Sequence, residues 1–155
     1  MVNAPRVLKI DIVNQQRIKK IAVKKLKASL EESMSFLAGH LTKFSGSRSG
    51  SISVVLCDNN FIAGLNKKYL KKNTPTDVIA FELRDPGVSD YIGEVFVSVQ
   101  EAVLRSPEYG LTWQKELTLY IIHGILHLAG YRDSNKEERK SMEAKQQEIL
   151  RKIFG

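Results

Sequence analysis

Late in this 155-residue chain, two of its only three histidines fall four residues apart in a helix-like apolar run: His123-Gly-Ile-Leu-His127-Leu-Ala-Gly130-Tyr-Arg-Asp133. On a helix, positions i and i+4 share a face one turn apart, so both imidazoles can reach one ion. Gly130 offers a helix stop three residues on, and a chain reversed there can bring Asp133 back toward the same point. The pattern H-x₃-H-x₂-G-x₂-D sets out two neutral nitrogens and one carboxylate, a donor set suited to a catalytic zinc with one open position. The same residues also read as two histidines satisfied within a core. A zinc protease would carry Glu directly after the first histidine as general base. That place is held by Gly124, which argues against peptidase machinery.

The rest of the chain bounds what surrounds this helix. Its length suits one domain, residues 1–155, with a single core, and its 43% hydrophobic and 26% charged content is that of an ordinary globule. No apolar run reaches membrane-spanning length and no signal-peptide core opens the chain, so a cytoplasmic location without membrane contact is expected. The single cysteine, Cys57, excludes an internal disulfide and reads as a buried, inert thiol in a strand. A net charge of +7 favours a polyanionic partner.

In chain order, residues 7–13 alternate as a first strand. Val23, Leu26, Leu30, Met34, Leu37 and Leu41 then predict one amphipathic helix, its polar face opening with Arg17, Lys19, Lys20, Lys24, Lys25 and Lys27. This charged face reads equally as solvated surface or binding surface, and His40 near its end reads as structural or surface-exposed. Residues 45–50 predict a loop, and 52–57 a central strand. Asp58 can cap a helix bearing Ile62, Leu65 and Tyr69, which ends in the cluster Lys67, Lys68, Lys71 and Lys72. A turn at 73–76 is set by Pro75. Strands follow at 78–83 and 93–99, separated by a loop over 84–90 that contains Pro86 and Gly87. A helix from Gln100 breaks at Pro107 and Gly110. A long one from Thr112 carries Leu117, Tyr120, Ile121, Ile125 and Leu128, with Glu116 seven residues before His123 on the same side. Glu116 is thus either an outer support of the site or an ordinary surface carboxylate. Ser134-Asn-Lys-Glu137 fits a capping box for a last helix to about Ile153, leaving Asp133 free to ligate. These elements predict an α+β domain with one mixed four-stranded sheet, helices, and a metal site on a helix of the C-terminal half.

With these pieces placed, the chain resembles the YbeY family of rRNA-maturation endoribonucleases along nearly its whole length. Three blocks carry the resemblance: Leu65-Asn66 through Tyr69 with Pro75-Thr-Asp77-Val-Ile-Ala-Phe81; Gly93-Glu-Val-Phe-Val-Ser98; and His123-Gly-Ile-Leu-His127-Leu-Ala-Gly130-Tyr131. The resemblance implies a single-domain zinc protein that cuts single-stranded RNA. It further implies a role in 16S rRNA 3′-end processing and small-subunit quality control, with the small ribosomal subunit or its assembly factors as partners. Two departures stand out. The family's motif ends Gly-Tyr-Asp-His, its last histidine being the third ligand, where this chain has Arg132 and Asp133. The family also has a phosphate-contacting arginine after the tyrosine matched by Tyr69, where this chain has Leu70.

The expected site is therefore one Zn²⁺ held by His123, His127 and Asp133. Lys67, Lys68, Lys71, Lys72 and Arg132 are the candidate RNA-binding cations; the sequence shows no general base, and beyond a metal-bound water the candidate catalytic groups are Arg132 and Glu116. Two rivals remain at this stage. One is an RNA- or ribosome-binding assembly factor with a structural metal, favoured by Leu70 and Asp133. The other is a zinc peptidase-like hydrolase, disfavoured by Gly124.

Overall fold

A computed structural model of the protein describes residues 6–42, 48–72, 74, 76–85 and 90–155. Strands β1 (Val7–Asn14), β2 (Ser49–Cys57), β3 (Val78–Glu82) and β4 (Tyr91–Ser98) form one sheet in the order β1-β2-β4-β3. β1, β2 and β4 run parallel, while β3 lies antiparallel to β4. This is the mixed four-stranded sheet of an α+β domain, as expected. Parallel neighbours need long connections. Helices α1 (Val23–Met34) and α2 (Ala38–Leu41) carry the chain from β1 to β2, and α3 (Asn59–Leu70) with β3 carries it from β2 to β4.

The second half of β2, residues 54–57, is wholly apolar because both of its faces are covered there. Ile52, Val54 and Leu56 join a large core with residues of α1, α5 (Trp113–Leu128) and α6 (Lys136–Phe154). Val55 and Cys57 face the other way, toward Ile62 and Leu65 of α3 together with Ile79 and Phe96. Burial, and secondarily Asp58, pushes the Cys57 thiol up to about 12, so it stays protonated and inert at neutral pH as the sequence suggests. Between β4 and β2 the register slips after Ser51↔Tyr91 to Ile52↔Gly93, leaving Ile92 as an extra, buried residue. Gly93 follows because a Cβ there would meet the Phe81 carbonyl oxygen at 2.2 Å.

Three expectations need correction. Ser49 and Gly50, read as loop, are the first residues of β2. The helix read across 23–41 is broken by a 3-10 turn at Ser35–Leu37, which keeps Leu30, Met34, Leu37 and Leu41 all buried. The cap of α6 is Asn135, one residue later than Ser134: its Oδ1 accepts from the Glu138 amide at 2.8 Å, while Ser134 Oγ donates to the Glu138 carboxylate. Asp133 keeps its freedom either way. Pro75 and Asn73 in its turn, the tip of the loop holding Pro86 and Gly87, and residues 45–47 of the 45–50 loop lie outside the described residues. Among the described residues, no helix is long and apolar enough to cross a membrane.

Candidate metal centre

α5 is positioned by close packing on the sheet. A Cβ on Gly124 would stand 2.4 Å from Val95 Cγ1 and 3.1 Å from Val78 Cγ2. Position 124 is therefore turned onto β4 and β3, and a glutamate there has no room to serve as a base. The helix runs to Leu128 and is stopped by Gly130, whose φ of 99° suits glycine alone. The Tyr131 amide returns to the Leu126 carbonyl at 3.0 Å, closing the end. This reversal delivers Asp133 to the histidines. The Arg84 guanidinium donates to the Leu128 carbonyl, covering one acceptor that the helix end leaves open.

His123 Nε2 and His127 Nε2 lie 3.0 Å apart, and one oxygen, Asp133 Oδ2, stands 3.8 Å and 3.5 Å from them. A point equidistant from the three is about 2.0 Å from each, against ligand distances of about 2.0–2.2 Å for nitrogen and oxygen on zinc. The opposite ring nitrogens are held in turn. His123 Nδ1 donates to Gln146 Oε1 at 2.9 Å, and His127 Nδ1 to the Tyr131 carbonyl at 3.1 Å. With both Nδ1 protons so committed, each neutral ring turns a bare Nε2 lone pair toward the other and toward a carboxylate. Three convergent lone pairs with no proton between them repel unless a cation joins them. The donor set fits a metal ion, and His123, His127 and Asp133 are the three groups that could hold one. The histidine side chains are about 30% exposed and Asp133 about half, so the open side faces solvent.

Two cavities flank the centre. One, of about 450 Å³, is lined by His127, Gly130, Tyr131 and Arg132, and also by Arg84, Glu82 and His40. His40 thus reaches the wall of the site without joining the donor triangle. Arg84 is largely buried, with its Nε 3.1 Å from Glu82. The other cavity, of about 200 Å³, is shared by His123, Gln146, Glu116 and Tyr120. Glu116 is buried rather than a surface carboxylate, with the Tyr120 hydroxyl as its neighbour one helical turn on. Burial raises its pKa; the Tyr120 hydroxyl opposes this, and Asp77 adds to it. Lys67, Lys68, Lys71 and Lys72 are all exposed at the end of α3, on the sheet face opposite α5. No hydrogen bond or ion pair among the described residues links them to the histidines. Leu70 beside them is about half exposed.

Gln146 and Arg84 are the residues that sequence reasoning missed. Gln146 did leave a signal: it falls on the buried stripe Met142, Ile149, Leu150 of α6, where a polar residue needs a partner.

The model of the endoribonuclease YbeY family matches residues 11–154. The chain belongs to the YbeY family. An endoribonuclease YbeY from Carboxydothermus hydrogenoformans is 38% identical over 103 residues, covering 66% of this chain and 72% of that protein. The one from Bacillus subtilis is 32% identical over 137 residues, covering 79% and 87%. A solution structure of a Thermotoga maritima protein superimposes with a TM-score of 0.62 at 29% identity, covering 94% of this chain and 89% of that one. Family membership covers both the helix that carries the histidines and the sheet beneath it, so the donor triangle lies in the matched part of the chain.

Proposed function

We propose that this protein, as one catalytic domain spanning residues 1–155, is a zinc-dependent, single-strand-specific endoribonuclease. The proposed task is 16S rRNA 3′-end maturation and small-subunit quality control in the cytoplasm. The observation that carries the reading is the convergence of His123 Nε2, His127 Nε2 and Asp133 Oδ2 in a chain of the YbeY family. RNA as substrate, and the small subunit or its assembly factors as partners, come from the family.

A zinc ion held by these three groups supplies Lewis acidity, acidifying a water or polarising a phosphoryl oxygen. The protein does the rest. Gln146 and the Tyr131 carbonyl fix both imidazoles in the tautomer that leaves Nε2 free to ligate. Arg132, exposed on the wall of the larger cavity, offers a guanidinium for charge developing on a phosphate, with Arg84 behind it. Lys67, Lys68, Lys71 and Lys72 bind the flanking RNA through its phosphates, away from the reacting centre.

Gly124, packed against Val95, disfavours a peptidase. The rival that keeps support is an RNA-binding assembly factor with a structural metal, favoured by Leu70 and Asp133. Cleavage of single-stranded RNA by the wild-type protein and its absence in His123→Ala, with RNA binding retained, is the expected result. Equal RNA binding with no cleavage by either protein would leave the assembly factor standing instead.

A further inference from the structure

α3 carries Phe61, Leu65 and Tyr69 at i, i+4 and i+8, one stripe that meets the sheet at Phe96 and Phe81. Four rings follow one another there. Phe61 lies 6.1 Å from Phe96, Phe96 5.8 Å from Phe81, and Phe81 5.2 Å from Tyr69. The inner two belong to the sheet, while Tyr69 at the end of the row is 54% exposed. Its edge contact with Phe81 steadies the ring and leaves more than half of the residue open to solvent.

The charge around this ring is positive. Lys67, Lys68, Lys71 and Lys72 flank it, all exposed, and the sequence has no acidic residue from 59 to 76. Lys71 ends the helix in the left-handed region with φ 57°, and the Lys72 amide returns to the Asn66 carbonyl at 3.2 Å. The buried Asn66 side chain donates to the Thr74 carbonyl at 2.8 Å. The segment bearing Lys71 and Lys72 is thereby tied to the end of the helix that carries Tyr69.

We propose that Tyr69 is the stacking platform for one unpaired base of the RNA, the residue through which this protein distinguishes a single strand from a duplex. The proposal rests on the reading of RNA as the substrate. A base within a duplex already has both faces stacked, whereas an unpaired base has a free face to lay on an aromatic ring. Lys68 Nζ stands 5.2 Å from the centroid of the Tyr69 ring. An exposed cation over a ring is worth less than a stacked base, so an incoming base displaces this ammonium and leaves it to the adjoining phosphate. The edge strand β3 joins the platform to the metal centre. Phe81 of β3 touches Tyr69, and Arg84, three residues on, donates to the Leu128 carbonyl beside His127. A strand stacked on Tyr69 has this one sheet edge to cross before it reaches the donor triangle.

The test is binding of the full-length protein to three labelled probes of equal length, read by fluorescence anisotropy with probe integrity checked on a gel. The probes are an unstructured oligoribonucleotide, a ribose-phosphate chain lacking every base, and an RNA duplex. Tyr69→Ala should bind the oligoribonucleotide about tenfold more weakly than wild type, and the base-free chain and the duplex as wild type does. Tyr69→Phe keeps the ring and should bind all three as wild type does. Tyr69→Leu keeps apolar bulk against Phe81, should show the same loss as Tyr69→Ala, and serves if that variant fails to fold. Unchanged binding of the oligoribonucleotide by a folded Ala or Leu variant, or an equal loss on the base-free chain, would overturn the platform. Cleavage of RNA by a protein whose binding ignores the bases would remove the platform and leave the nuclease reading. A base-dependent loss in a protein that cuts no RNA would keep the platform and remove that reading.

Discussion

Gln146 reaches the centre from another helix, and replacing it tests whether the histidine tautomers are set by the protein. Gln146→Leu removes the acceptor 2.9 Å from His123 Nδ1 while keeping the volume of a buried position. Leaving a buried N–H unpaired costs about 1–3 kcal/mol. The His123 side chain is 28% exposed, so water can replace part of the lost bond, and a stability loss near the low end of that range is expected. The effect on metal binding should be as large or larger, because a freed ring can move its proton to Nε2, the atom that must ligate. Loss of such a supporting partner weakens metal affinity about 10–100-fold, or about 1.4–2.7 kcal/mol. Gln146→Glu should act in the opposite direction on affinity, since a carboxylate holds the Nδ1 proton more firmly, although burying the charge should lower the stability of the metal-free protein. Competition against a chromophoric zinc chelator, with urea unfolding in parallel, separates the two effects. Unchanged zinc affinity in a folded Gln146→Leu variant would refute the reasoning.

Three further outcomes follow from the same structure. Gly124→Ala forces a methyl against Val95, and overpacking of about 1–3 kcal/mol set against about 1 kcal/mol of helix preference predicts a net loss near about 1 kcal/mol, a Tm drop of about 3 °C; an unchanged or raised Tm would contradict it. Replacing Lys71 and Lys72 together should weaken binding to single-stranded RNA and reduce the slope of log affinity against log salt by about 1.4; the same slope in both proteins would remove these lysines from the interface. Burial raises the Glu116 pKa, so the native state holds that proton longer than the unfolded chain, and its contribution to stability falls as pH rises above the unfolded value near about 4.3. Glu116→Gln should therefore gain stability relative to wild type between pH 4 and pH 7, and a difference independent of pH in urea unfolding would be the opposing result.

The sequence showed most clearly what is local. His123 and His127 are related by one helical turn, Gly130 ends that helix, and Asp133 follows within three residues, so the donor triangle needs no distant information. The strands β2 and β4 were legible because burial on both faces leaves apolar runs at residues 54–57 and 95–97. Their order was not, since placing β4 between β2 and β3 depends on how α3 crosses the sheet. The break at Ser35 was hidden because the 3-10 turn preserves the spacing of Met34, Leu37 and Leu41 on the core face. The α6 cap was misplaced by one residue where Ser134 and Asn135 are both good caps, each with a glutamate three positions on. Arg84 and Gln146 reach the site from β3's end and from α6, and only the fold brings them to α5. Glu116 was placed on the right side of the helix, but its burial depends on α4 (Val99–Arg105), the turn after it and the head of β3 closing over it.

Zinc stoichiometry in the wild type, Asp133→Ala and Asp133→His, measured by elemental analysis after dialysis against a chelator of moderate strength, tests the three-donor centre most directly. Asp133 Oδ2 faces both Nε2 atoms, so the wild type should retain one zinc, and Asp133→His should retain it as well, because zinc accepts either donor. Asp133→Ala leaves two histidines from one helix and should lose most of the metal under the same conditions. Full zinc occupancy in Asp133→Ala would contradict the account, leaving Asp133 as a residue at the entrance to α6 and the centre without its third ligand.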